Sequence, residues 1–337
     1  PPLLMTQRWT VVSTISAASV DLTQTDLRNQ VLDPAVNYLY RNYNATTGLN
    51  YNSPDKTDLQ NTYWVYSDNF LASYVLSIYD QDNTSLISRA GDIWAKMEGY
   101  LLNKSITNPM NQYMVLNLTV NYTDGSLPEG TMLEERNGYV IKTHINNLTG
   151  VHPAPENYSD IAFLQAIYYH KLGNGHESEA MKVYNDGVSC SVNLTDGMGL
   201  NGMGFKDKAF NDNLRDHSAE EYQTYKLALY IYASKSMLQD YDQRAFDTLL
   251  AMQQPDGGFK TGYDSSLNAQ DHSTNMETTS LAVLALNFEE ADEGVDSLLA
   301  IAAIVVIVLA AIVIVAYFLI RKKSAIPPQA PIKPPKT

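Results

Sequence analysis

The chain repeats a unit in which an acidic residue opens an apolar helix. The four acids are Asp68, Asp160, Glu221 and Glu277, and 61 and 56 residues separate the last three. After each acid, apolar residues stand at positions +4, +7 and +8, which lie on one face of an α-helix. This periodicity predicts that all four acids begin helices whose apolar faces meet in one core.

A more polar helix precedes or follows each of these apolar helices, so the repeat is a helical hairpin. The periodicity predicts helices over 33–43, 68–79, 85–102, 160–172, 177–188, 221–238, 243–253 and 277–286. Gly-containing loops at 47–49, 202–205 and 256–259 lie within these units. Because one hairpin cannot bury its apolar face alone, neighbouring hairpins must pack together.

One insertion interrupts the helical series. Residues 114–120 and 138–145 are β-rich or alternate between apolar and polar, and Thr123-Asp124-Gly125 is a turn signal. We therefore expect a small β insertion over about residues 112–150.

One hairpin carries a resemblance to a known group of proteins. Residues 253–259 read QQPDGGF, and residues 277–282 read ETTSLA. This pair is similar to the repeat of the α/α toroids shared by terpenoid cyclases, prenyltransferase β-subunits and the thioester domains of complement-like proteins. The resemblance implies an all-α fold, an incomplete α/α toroid of helical hairpins over residues 33–290 with the β insertion. It implies no chemistry, because the Asp-X-Asp-Asp, zinc-ligand and Cys-Gly-Glu-Gln motifs of those families are absent.

An uncharged segment near the C-terminus predicts a membrane anchor. Residues 298–320 contain no charge, and as a helix they would span roughly 35 Å, enough for a bilayer core of about 30 Å. Arg321, Lys322 and Lys323 follow, whereas acids precede, which predicts a cytoplasmic Pro-rich tail at 321–337 and an extracytoplasmic domain before the span. We interpret residues 1–32 as an N-terminal segment with a truncated signal region.

Eight Asn-X-Ser/Thr sequons agree with an extracytoplasmic location. They are Asn44, Asn83, Asn103, Asn117, Asn121, Asn147, Asn157 and Asn193. All of them precede the apolar segment. The sequence thus predicts a single-pass, glycosylated cell-surface protein.

Charge and cysteine content exclude several classes of function. The formal net charge is −14, which repels nucleic acid, so we expect no nucleic-acid partner. Cys190 is the single cysteine, so neither an intramolecular disulfide nor a cysteine-based zinc site can form. We expect no metal and no cofactor.

Chemistry, if present, would come from the repeated acids and their neighbours. In a toroid the inner helices begin at one mouth, so Asp68, Asp160, Glu221 and Glu277 are the candidate catalytic residues, as acid, base or nucleophile on a glycosidic bond. The candidate substrate-binding residues are Trp64, Tyr66, Tyr158, His217 and His272, since aromatic rings stack on sugars and imidazoles can act as bases or ligands.

A structural interpretation of the same acids stands beside the catalytic one. Ser218 with Glu221, and Thr274 with Glu277, both fit the capping box of a helix start. The function is therefore predicted as an ectodomain that binds or acts on surface glycans or polysaccharide, as a hydrolase, lyase or epimerase if it is an enzyme. The alternatives are a non-catalytic scaffold or adhesion module and, less favoured, a lipid-directed cyclase or transferase.

Overall fold

Helices form most of the chain for which the computed structural model defines positions. The described residues are 23–51, 62–64, 67–105, 116, 126–127, 132–136, 139–142, 150–151, 155–173, 175–195, 201–207, 221–269 and 274–287. All of them belong to one compact unit that spans residues 1–288. A second unit, 289–337, lies outside the described residues.

The eight predicted helices begin and end within three residues of the predicted positions, whereas the helical segment 24–32 was not predicted. Their bounds are α1 Gln24–Leu27, a π-helical turn Arg28–Leu32, α2 Asp33–Arg41, α3 Asp68–Ile78, α4 Thr84–Asn103, α5 Ser159–Leu172, α6 Glu177–Val188, α7 Thr224–Ser236, α8 Gln243–Ala251 and α9 Met276–Asn287. Local caps explain several starts. Asn83 and Asp242 accept hydrogen bonds from backbone N–H groups in the first turns of α4 and α8, and Pro34 occupies the first turn of α2.

Some helices are buried on all sides, whereas others bury only one face. α5, α7, α9 and α3 pack in this order, each against the next. α9 is buried on all sides, since every residue from Thr278 to Leu286 is buried. By contrast, α8 buries only one face, with Ala245, Phe246 and Leu249. The core therefore lies around the helices that the repeat predicted to be apolar.

Short strands connect the helices. Four two-stranded pairs are antiparallel: β1 Tyr43–Asn44 with β2 Leu49–Asn50, β4 Ser126–Leu127 with β7 Gly150–Val151, β8 Ser191–Thr195 with β9 Asn201–Phe205, and β10 Glu221–Gln223 with β11 Gly262–Asp264. The three-stranded sheet has the order β3 Thr62–Trp64, β6 Tyr139–Lys142, β5 Met132–Arg136, in which β3 runs parallel to β6.

The mostly helical domain contains more strands than the single predicted insertion. Four strands lie inside or at the end of the predicted insertion, β4, β5, β6 and β7. The pairs β1–β2, β8–β9 and β10–β11 lie outside it, and β10 takes the first three residues of the helix predicted over 221–238. Glycines at 202 and 204 let neighbouring side chains approach the β9 backbone closely, because a Cβ there would lie 2.3 Å from Leu267 and 2.6 Å from Tyr222.

The structure does not support the transmembrane helix with which the predicted fold class ends. Of the helices in the described ranges, none combines the length and the apolar character needed to cross a membrane. The longest, α4, has 20 residues, but it carries Arg89, Asp92, Lys96 and Glu98. The segment 298–320, the tail 321–337 and residues 1–22 lie outside the described residues.

The loop formed by the QQPDGGF motif packs against the N-terminal helices. Gly257 has a φ of +94°, and a Cβ on it would lie 2.1 Å from the Pro34 carbonyl oxygen. The Arg41 guanidinium donates to the Asp256 carbonyl at 2.8 Å, and Gln253 Nε2 donates to the Val31 carbonyl at 2.8 Å. The glycine is therefore required both for its backbone conformation and for close packing.

Candidate functional site

The four apolar helices begin at the same end of the molecule. In the first turns of α7 and α5, the Tyr225 hydroxyl donates to Asp160 Oδ2 at 3.0 Å. In the last turns of α7 and α9, Lys235 Nζ donates to the Ala285 carbonyl at 2.9 Å, so these two neighbours are parallel. The first turns of α3 and α9 are close enough for the charge of Glu277 to act on Asp68.

Asp68 is an acid at this end whose pKa is raised. It is the first residue of α3, and the residue is only 3% exposed. Burial raises its pKa well above the usual range, the Glu277 charge raises the pKa further, and a 2.6 Å hydrogen bond from the Ser67 hydroxyl opposes both effects. The other carboxyl oxygen, Oδ2, is buried and has no hydrogen-bond partner among the described residues. These conditions favour a protonated Asp68 beside the half-buried Glu277.

Two further buried oxygens at the same end lack a partner within the described part of the chain. They are Asp160 Oδ1, on the second residue of α5, and Thr224 Oγ1, on the first residue of α7. Buried polar atoms in proteins are normally hydrogen-bonded, so such orphans need a partner from water or a ligand. A hydroxyl-rich ligand can donate to Asp160 Oδ1 and Thr224 Oγ1 and accept from a protonated Asp68.

Glu221 does not begin a helix, which corrects the prediction for this residue. It lies in β10, opposite Asp264 of β11, and α7 begins three residues later at Thr224. The Thr224 N–H donates to the Thr261 carbonyl at 3.0 Å, so this segment is tied to a strand about 40 residues away in sequence. α7 has the predicted apolar periodicity. Its first predicted turn, however, is not helical, because those residues form β10 and pair with β11.

The capping interpretation is wrong for both proposed boxes. At α9 the cap is Asn275, whose Oδ1 accepts a hydrogen bond from the Thr278 N–H at 2.8 Å. Thr274 instead accepts a hydrogen bond from the buried Tyr38 hydroxyl at 3.0 Å. Glu277 is thus the second helical residue and not the partner of a threonine cap. At Glu221 the predicted box fails because that residue belongs to a strand.

The structure describes only part of the predicted substrate-binding set. Tyr158 directly precedes α5, and its half-buried ring packs against the core. The backbone of Trp64 lies in β3. Tyr66, His217 and His272 lie outside the described residues.

An ion pair that the sequence analysis missed lies beside Asp160. Lys226 Nζ is 2.5 Å from Asp207 Oδ2, and the side chains are 5% and 2% exposed. Asp207 Oδ1 accepts from the N–H of Ser159 at 3.0 Å and from its hydroxyl at 2.8 Å, which fixes the first residue of α5. A signal was present, because a lysine within the apolar run of α7 requires a buried acidic partner.

Several sequons lie at accessible positions. Asn83, Asn103 and Asn193 are exposed, and Asn44 and Asn157 are half-buried. The Asn44 side-chain amide already donates to the Tyr51 hydroxyl at 2.5 Å. Asn117, Asn121 and Asn147 lie outside the described residues.

Neither a metal site nor a known relative indicates what this domain does. Within the described ranges, no group of three or more His, Cys, Asp or Glu side chains is arranged to hold a metal ion. No protein-family model, no curated protein and no solved structure matches the chain. Functional inference therefore rests on the geometry alone.

Proposed function

We propose that the domain acts on glycans at the end where the four apolar helices begin, with Asp68 as proton donor and Glu277 as its carboxylate partner. The observation that supports this most is the orphaned Oδ2 of Asp68 next to a second carboxylate. Glycoside cleavage uses one protonated and one ionised carboxyl group, and their environments must push the two pKa values apart. Burial and the Glu277 charge push the pKa of Asp68 in the required direction.

The neighbouring groups suit a polyhydroxylated substrate. Asp160 Oδ1 and Thr224 Oγ1 are acceptors without donors among the described residues, and sugar hydroxyls are donors. Tyr225 orients Asp160 through the hydrogen bond to Oδ2. In this proposal Asp160 holds substrate, and the proton moves from Asp68 to the leaving oxygen.

Substitution of the two carboxyl groups tests the proposal. The full chain should release reducing ends from at least one member of a panel of neutral and uronate-containing polysaccharides. Asp68→Asn and Glu277→Gln should each lower that rate by about 10²- to 10⁴-fold, the usual contribution of acid or base catalysis. Asp186→Asn, which changes a carboxylate on the polar helix α6, is the matched control and should leave the rate unchanged.

The pH profile gives a second readout. Proton donation requires protonated Asp68, so turnover should fall as pH rises through the raised pKa of Asp68. If both variants retain full turnover, the catalytic roles are refuted.

A non-catalytic surface module is the second candidate, and the burial of Asp68 favours it. A side chain that is 3% exposed can be a structural element that no substrate reaches. This function predicts glycan binding or partner binding that is insensitive to Asp68→Asn and Glu277→Gln. It also predicts no turnover of any polysaccharide in the panel.

We also propose that the domain lies outside the cytoplasm and carries N-linked glycans on its exposed sequons. Asn83 offers a clean test, because its side-chain oxygen caps α4 while its amide nitrogen remains available for a sugar. Ser85→Ala removes this sequon but keeps the cap, and Ser85→Thr keeps both. Mass spectrometry of the protein from its own cells should find a glycan on Asn83 in the wild type and in Ser85→Thr, and none in Ser85→Ala.

A further inference from the structure

An open groove lies on the polar side of α4, away from the acids described above. Its volume is about 410 Å³, and it is lined by Tyr40, Thr84, Ser85, Ser88, Arg89 and Asp92. The α4 residues 85, 88, 89 and 92 share one helix face, because they follow the i, i+3, i+4, i+7 spacing. The groove contains none of the residues assigned to the proposed reaction.

Arg89 is held in a fixed position in this groove. Its guanidinium carbon lies 3.9 Å from the ring centre of Tyr43 and 4.6 Å from that of Tyr40. Nη1 donates to the Tyr40 carbonyl at 3.3 Å. The side chain makes no other hydrogen bond or ion pair to a described residue, so most of its N–H donors remain available for a ligand.

The remaining polar groups of the groove are also unused. The hydroxyls of Thr84, Ser85 and Ser88 and the carboxylate of Asp92 make no side-chain hydrogen bond or ion pair within the described part of the chain. The groove thus combines fixed cationic donors, a carboxylate acceptor, three hydroxyls and an aromatic wall.

These groups suit a neutral sugar better than an anion. Asp92 cancels the charge of Arg89 and repels an anion, whereas it can accept hydrogen bonds from sugar hydroxyls. Arg89 and the three hydroxyls can donate to sugar oxygens, and Tyr40 supplies an apolar surface with a polar edge. The volume lies within the roughly 300–1,000 Å³ typical of small-ligand sites.

We propose that this groove is a second, separate binding site that takes a neutral saccharide. It requires neither turnover nor the roles of Asp68 and Glu277. In the folded chain it would hold a sugar on the face of α4 while other parts of a glycan remain free.

The test uses ligand-observed saturation-transfer NMR on the full chain, made in a host that does not N-glycosylate, so that no sugar is attached at Asn83. The probes are the methyl glycosides of glucose, galactose, mannose and N-acetylglucosamine. At least one should bind saturably. Asp92→Ala and Ser88→Trp, which remove the acceptor and fill the groove, should weaken it at least tenfold.

Two sets of controls separate this site from the proposed active site. Glu98→Ala removes another exposed acid of α4 that lies outside the groove, and should leave binding unchanged. The proposed active site also takes sugars, so only the binding that remains in Asp68→Asn and Glu277→Gln is assigned to the groove. Ser85 is not a suitable variant, because it belongs to the Asn83 sequon.

Three results would overturn the saccharide site. The first is no saturable binding of any of the four glycosides. The second is binding that survives both Asp92→Ala and Ser88→Trp. The third is displacement of the glycoside by millimolar inorganic sulfate or phosphate, because this would make the groove an anion site.

Discussion

Asp207 and Lys226 form an ion pair in the interior, with Nζ and Oδ2 2.5 Å apart, and they join the loop after β9 to the first turn of α7. Through its other oxygen Asp207 also fixes Ser159 at the start of α5. Two of the helices that begin at the candidate site are therefore positioned by one carboxylate.

Lys226→Met should strongly destabilise the fold. It would leave Asp207 buried without its cation, a change that typically costs about 3–5 kcal/mol. Urea unfolding followed by circular dichroism would measure the loss. Lys182→Met is the control, because Lys182 pairs with Asp186 at the surface and should change the free energy of unfolding little. Equal effects of the two variants would show that the buried pair has no special role.

Asp68 should make stability fall as pH rises. Its folded-state pKa is raised above the unfolded value, so the folded chain binds this proton more tightly. The stabilisation is fully present below the unfolded pKa of about 3.9 and is lost as pH rises through the folded pKa. Urea unfolding of the wild type and of Asp68→Asn should therefore be measured at several pH values. The free energy of unfolding of the wild type, relative to that of the variant, should decrease as pH rises.

Asp242 provides a control of opposite sign for that measurement. Hydrogen bonds from the Arg244 side chain lower the pKa of Asp242. Its stabilisation is present above the unfolded pKa and is lost as pH falls through the folded pKa. The free energy of unfolding of the wild type, relative to that of Asp242→Asn, should therefore increase as pH rises. The same slope in both variants would contradict the assignment of these shifts.

Gly257→Ala should destabilise the contact between the 253–259 loop and α2. Alanine would have to adopt a φ near +94° and would press against the Pro34 carbonyl. Gly175→Ala is closely matched, since Gly175 has a φ of +93° and a Cβ on it would meet no heavy atom within 4 Å. The matched variant should cost about 1–2 kcal/mol from backbone strain alone. Overpacking should add about 1–3 kcal/mol at Gly257, measurable by urea unfolding.

Asn275→Ala should cost about 1 kcal/mol, the usual value of an N-cap. Its side chain holds the Thr278 N–H at the start of α9. Glu277→Gln should cost less, because Glu277 does not occupy the capping-box position. Thermal unfolding of the two variants would compare them. If Glu277→Gln lost more stability than Asn275→Ala, Glu277 would be a capping residue after all.

Local patterns in the sequence were sufficient to predict the helices from residue 33 onward, but not the helical segment 24–32. The positions of Ala72, Leu164 and Leu281 on apolar faces depend only on a 3.6-residue period, and all three are buried. The strand that contains Glu221 could not be found in this way, because it depends on pairing with β11 far along the chain.

The candidate site was predictable only in outline. Asp68, Asp160 and Glu277 do lie in the first turns of their helices, as the repeat indicated. Most of the contacts around them do not follow from local spacing: Tyr225 reaches Asp160 from another helix, and Asp207 holds Ser159 from a separate loop. Sequence spacing places residues on a helix, whereas these contacts depend on how the helices assemble.

The contact between α2 and the 253–259 loop affects how the chain can fold during synthesis. In most repeat proteins each unit packs on its neighbours, so folding can proceed as units emerge from the ribosome. Here Tyr38 bonds to Thr274 and Arg41 bonds to Asp256, across more than 200 residues. α2 already packs on the π-helical turn and on α3, but its contacts with the last hairpin form only after residue 274 has been translated, so the core around α2 stays incomplete until then.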